Sequence, residues 1–245
     1  MEYLLPILFF FIAFIYSSVG MGGGSSYTSL MAIFGINYLI IPTASLSLNL
    51  IVTSIGMVNF WRNGYGRVSL IFPFLITSVP MAYFSGLLNL PKGIFQLILL
   101  ITLILVVVRI YVLDKFQLSF RLLGIKKWIF IYSLGAVLGF VAGSVGIGGG
   151  IYLVPLIVIF GLGSEKEAAA AGTIFIWANS LVGIIARLHI GTFDFNFIFP
   201  LIGAVVVGAY IGSYLGSFKF QIKTIQKIMG MVIIFAILFL SKEIL

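Results

Sequence analysis

Two glycine clusters carry the most chemical content in this chain: Gly20-Met21-Gly22-Gly23-Gly24 and Gly146-Ile147-Gly148-Gly149-Gly150. Each lies between two short apolar segments. A glycine in a helix costs about 1 kcal/mol relative to alanine, so three in a row predict a helix break. Helix starts beside such a break expose N–H groups without intrahelical partners and a positive dipole end, and both attract an anion. Gly22, Gly23, Gly24, Gly148, Gly149 and Gly150 are therefore candidate anion-binding backbone, expected to be non-helical. Ser25 and Ser26 follow the first cluster, where they are placed to cap the next half-helix.

Other polar candidates are Ser47 and Asn49, with Thr173, Asn179 and Ser180 in a later segment. Each can line a pathway or bond between helices, the latter worth about 0.6 kcal/mol per pair in a membrane. Arg62 and Arg187 end two apolar segments. The favoured reading is an interfacial anchor that snorkels to headgroups; the functional one is a basic mouth that concentrates anions. The acids Glu2, Asp114, Glu165, Glu167, Asp194 and Glu243 all fall at segment ends or in loops. Intramembrane carboxylates mark proton and cation relays, so their placement disfavours cation transport. Cysteine is absent, which removes thiolate metal sites and cysteine nucleophiles, and no metal or cofactor is expected. An intramembrane hydrolase would need Ser144 as nucleophile and His189, the one histidine, as base. The expectation is against an enzyme, because Ser18 matches Ser144 in the repeat described below while Arg62 stands where His189 would be matched.

These residues sit in a chain that is 62% hydrophobic and 8% charged. A soluble domain carries about 25% charged residues, so this one cannot cover a water-facing surface. Its apolar stretches are continuous and mostly long enough for a bilayer core of about 30 Å, which predicts membrane helices rather than strands. The net charge of +8 reads as loop charge in a lipid bilayer, not as a nucleic-acid surface. The first apolar run has no basic flank and is expected to be structure, not a leader.

The sequence also repeats. Residues 18–35 and 144–161 share ten identities in eighteen positions at an offset of 126. Further on, Ala44 and Ser47 align with Ala170 and Thr173, and after a one-residue slip Gly64, Pro73 and Tyr83 meet Gly191, Pro200 and Tyr210. Five segments are expected in a first repeat, 1–113, near 4–19, 27–41, 43–61, 68–88 and 93–112. Five more are expected in a second repeat, 128–245, near 128–145, 151–161, 166–187, 195–218 and 222–240. Residues 114–127 form a charged linker. The expected fold is thus an all-α polytopic membrane protein of two inverted five-segment repeats, each opening with a glycine-broken helical pair, because an odd segment count inverts the second copy.

Charge agrees with that parity. If the chain changes side at every segment, Arg62, Arg67, Arg109, Lys115, Arg121, Lys126, Lys127, Lys166, Lys219, Lys223 and Lys227 share one side. Only Lys92, Arg187 and Lys242 lie on the other. Eleven against three places the linker in the cytoplasm and both termini outside. The same sides follow whether each broken pair is a re-entrant hairpin or two short spans. Gly135, Gly139 and Gly143, and Gly208, Gly212 and Gly216, have the four-residue spacing of close helix packing.

The doubled G-x-G-G-G, with Pro155 and the run Ala168-Ala169-Ala170-Ala171-Gly172-Thr173 in the second half, resembles the TauE/SafE family of sulfite exporters. Arg62-Asn63-Gly64 and His189-Ile190-Gly191 fit the same pattern, and the resemblance covers nearly the whole chain. It implies a small transporter of sulfur-containing anions such as sulfite or organosulfonates, with an anion channel as the nearest alternative. Partners are then a small anion and lipid, with an oligomer left open. Ser29 stands where the second half has Pro155, a departure between the two motifs.

Overall fold

The computed structural model describes residues 4–112, 124–190, 194–218, 230–231, 233–239 and 241. Among them are nine complete helices: α1 (Leu4–Ser17), α2 (Gly24–Ile33), α3 (Ile41–Arg62), α4 (Val68–Gly86), α5 (Lys92–Tyr111), α6 (Gly124–Val145), α7 (Gly150–Ile159), α8 (Glu165–His189) and α9 (Phe195–Phe218). α3, α4, α6, α8 and α9 are long and apolar enough to cross a membrane. The chain is an all-helical, multi-pass membrane protein. Most of the expected linker 114–127 and part of the last segment, 222–240, lie outside the described residues. The described part of that last segment is helical and sets Gly230 against the Tyr111 ring.

Local sequence explains the helix ends. α8 opens with a capping box: the Ser164 hydroxyl accepts from the Glu167 N–H, and the Glu167 carboxylate accepts from the Ser164 N–H at 2.8 Å. α3 carries Pro42 in its first turn, where a missing N–H costs nothing. α5 buries a stripe of Phe95, Leu99, Leu103, Val106 and Ile110, spaced by three or four residues, and turns its other faces outward.

Packing fixes the helix directions. Gly135, Gly139 and Gly143 meet the backbone of Phe74, Ser78 and Ala82 in turn, so α6 runs parallel to α4. Gly208, Gly212 and Gly216 meet Phe10, Phe14 and Ser18, so α9 runs parallel to α1. Both four-spaced series pack backbone against backbone, as their spacing predicts. Arg67 pairs with Glu167 at 3.4 Å and Gly86 abuts Ala186, so α4 and α8 also run together. α3 and α8 run oppositely: Leu46 touches Gly183, Gly56 touches Thr173, and the Trp177 indole donates to Ser54 at 3.0 Å. With the one-residue slip taken before Leu46 rather than after Ser47, an offset of 127 maps the contact of Leu46 with Gly183 onto that of Thr173 with Gly56.

α7 lies antiparallel to α8, with Gly150 on Ile176 and Val154 on Gly172. Since α6 is parallel to α8, α6 and α7 form a helical hairpin with the glycine cluster at its tip. Ten residues of α7 rise only about 15 Å, half of a bilayer core.

Candidate functional site at the paired glycine breaks

Each break is a left-handed turn that a Cβ would strain: φ is +94° at Gly23 and +74° at Gly149, the residues before α2 and α7. Gly24 and Gly150 are not part of the break. They are the first helical residues, because the left-handed residue before each already completes the turn. Ser25 and Ser26 consequently lie inside the first turn of α2 rather than capping it. Their hydroxyls meet the buried Tyr16 hydroxyl at 3.0 and 2.7 Å.

The two breaks meet. A Cβ on Gly24 would lie 2.5 Å from the carbonyl oxygen of Ile147 and 2.5 Å from Asn49 Nδ2. Gly22 and Gly148 both face Asn49 and Ile176, and Gly150 faces Ile176. Gly20 packs on the backbone of Ala169 and Gly146 on that of Pro42. α3 ties the breaks together through two side chains one turn apart. Ser45 Oγ lies 2.7 Å from the Gly146 carbonyl and 3.3 Å from that of Gly24, and Asn49 Nδ2 donates to Gly146 at 3.3 Å. Ser45 escaped the sequence reading; its place four residues before Asn49, on the same helix face, was the available signal.

Asn49 is fully buried and its Oδ1 has no hydrogen-bond partner. A buried acceptor left unmade is costly, so this oxygen marks a place for water or a donor-bearing ligand.

The remaining candidates lie elsewhere. Ser47 bonds the Thr43 carbonyl, Thr173 that of Ala170 and Asn179 that of Phe175, each on its own helix. Thr173 turns its methyl toward Gly56, and Asn179 Oδ1 is buried without a partner. Arg62 is exposed and lines a cleft of about 560 Å³ with Ser54, Asn59, Asn63, Tyr210 and Tyr214. Arg187 corrects the expectation of an interfacial anchor. It is 3% exposed and donates to the Gly143 and Ser144 carbonyls at 3.0 and 2.8 Å, because α6 and α8 end side by side.

Among the described residues Arg187 is the one buried charged side chain, and no group of three acidic, histidine or cysteine residues is placed to hold a metal. Ser144 is buried with Oγ toward the Val141 carbonyl, whereas His189 is exposed. What the centre offers is backbone, amide and hydroxyl, without a carboxylate.

The family model described as "Sulfite exporter TauE/SafE" matches residues 5–240. The "Probable membrane transporter protein y4hK" of Sinorhizobium fredii (strain NBRC 101917 / NGR234) is 34% identical over 185 residues, covering 74% of each chain. No solved structure gives a significant match.

Proposed function

The chain belongs to the sulfite exporter TauE/SafE family of membrane transporters, and on that premise we propose that it moves small sulfur-containing anions, such as sulfite or organosulfonates, across the cytoplasmic membrane. The observation that carries this reading is the apposition of Gly24, the first residue of α2, and Ile147, three residues before α7, which sets the two breaks against each other. Two helix N-termini and an uncharged polar lining suit an anion, which those dipole ends attract. The backbone of Gly22–Gly24 and Gly148–Gly150, with Ser45 and Asn49, forms the central site. Ser25, Ser47, Thr173 and Asn179 stand outside this minimal set, since their hydroxyls or amide bond Tyr16 or their own helix rather than either break.

A pathway along α3 follows. Pro42 lies at one end, Ser45 and Asn49 near the first third, and Ser54, Asn59 and Arg62 at the other end, beside the cleft. Twenty residues of helix rise about 30 Å, one bilayer core. Arg62 at the cleft rim raises the local anion concentration.

The repeats, 1–113 and 128–245, are inverted in the membrane. The opposite run of α3 and α8 and the mapped pair of contacts between them support this. The broken pairs are re-entrant hairpins, in keeping with the shortness of α2 and α7. The basic end carrying Arg62, Arg67 and Lys166 faces the cytoplasm, with both termini outside.

The test is flux into proteoliposomes of labelled sulfite, thiosulfate, a sulfonate and chloride, with and without a pH gradient. Saturable uptake of a sulfur oxyanion above chloride supports the transporter. Non-saturating flux with chloride leading would replace it by an anion channel.

A further inference from the structure

Arg187 has no part in the central site. Its guanidinium is buried, among the described residues no carboxylate pairs with it, and the two α6 carbonyls engage only Nη2. Nε has no hydrogen-bond partner. A guanidinium offers five N–H donors and does not give up its charge. The carbonyl end of α6 supplies partial negative charge, but a dipole end does not neutralise a cation. Charges are rarely buried without a counter-ion.

Arg187 lines a narrow crevice, with Tyr38, Pro42, Asn89, Phe95 and Ser144 in its wall. Its volume of about 10 Å³ is room for about one water. The crevice abuts the second break, since Gly146 packs on Pro42 and Ser144 lies two residues before Gly146. It stands at the opposite end of α3 from the Arg62 cleft.

We propose that this crevice is a second anion site, in which the Arg187 guanidinium holds a small inorganic anion: a halide, or one oxygen of an oxoanion, in place of the single water. The guanidinium meets it with donors not spent on the α6 carbonyls, and Asn89 and Tyr38 are polar residues of the same lining. The ligand class extends the anion reading above. Occupancy is measured by binding, not flux, so failure of this site and failure of sulfur-anion transport are separate outcomes.

The chain contains no cysteine, so a Leu88→Cys variant carries a single thiol at the crevice rim, where Leu88 is 42% exposed. Its alkylation by a neutral maleimide is followed on the purified full chain in detergent. Chloride or sulfate replaces gluconate at constant ionic strength. The expected result is a saturable slowing of at least threefold by chloride or sulfate, lost when Arg187→Gln is added. Protection by chloride alone assigns a halide-sized site, and protection by sulfate an oxoanion site. An alkylation rate independent of both anions, or equal slowing in the Arg187→Gln chain, overturns the proposal. Should Arg187→Gln not elute as a folded species, Arg187→Lys keeps the cation but loses the planar fork of donors. A tenfold higher half-saturating concentration is then expected, and an unchanged one overturns the site.

Discussion

Replacing Gly24 by alanine tests whether the contact between the two breaks is functional, and Gly64→Ala is its control. Gly24 is the first residue of α2, so alanine there carries no backbone strain and gains at most about 1 kcal/mol of helix propensity. The new Cβ would lie 2.5 Å from Asn49 Nδ2 and from the Ile147 carbonyl oxygen, one of them backbone that cannot swing aside. Overpacking of this kind costs about 1–3 kcal/mol, which leaves a net loss of roughly 0–2 kcal/mol. Gly64 lies just past α3 with φ +80° and nothing within 4 Å of a Cβ, so alanine there costs only left-handed strain of about 1–2 kcal/mol. The two variants should therefore lose similar stability in detergent unfolding. They should differ in flux. If the clash falls on the conformer in which the breaks touch, its population drops by roughly 5- to 150-fold. Gly24→Ala should then cut sulfite uptake per folded protein by tenfold or more, while Gly64→Ala stays within about twofold. Equal uptake by both would show that the apposition only packs helices.

Gly139→Leu should sharply lower the folded yield, because its Cβ would lie 2.6 Å from Ser78 Cα. Gly203→Leu, exposed on α9 with nothing within 4 Å, should fold normally, a contrast read by gel filtration. Ser45→Ala removes the hydroxyl beside both breaks, worth about 1 kcal/mol, and should lower uptake several-fold. Thr173→Val, whose hydroxyl is engaged by Ala170 on its own helix, should leave the half-saturating concentration nearly unchanged. Arg62→Gln should reduce uptake at low salt more than at high salt, because Arg62 acts through a field that ions screen; a salt-independent loss would give it a direct contact instead.

Helix order was readable because lipid demands long apolar runs, and α3, α4, α5, α6, α8 and α9 lie where those runs predict. The start of α2 was not: hydropathy rises only at Tyr27, whereas the helix begins at Gly24 once Gly23 turns the chain. The repeated glycines announced a paired feature. That Asn49 reaches both of them depends on α3 lying between the hairpins, a tertiary fact beyond any motif. Arg187 was misread for a similar reason. Its position at a helix end suits an anchor, and only the neighbouring end of α6 explains why it is drawn inward. Thr173 and Asn179 looked like lining residues by type, but each bonds its own helix, a rotamer choice that composition does not reveal.

The central claim is that the pathway carries anions, and charge selectivity tests it most directly. Proteoliposomes with a threefold gradient of sodium sulfite should develop a reversal potential close to that of the anion, and the sulfite flux that sets it should be smaller in Gly24→Ala. A reversal potential following sodium, or a sodium flux above that of every anion tried, would contradict the account.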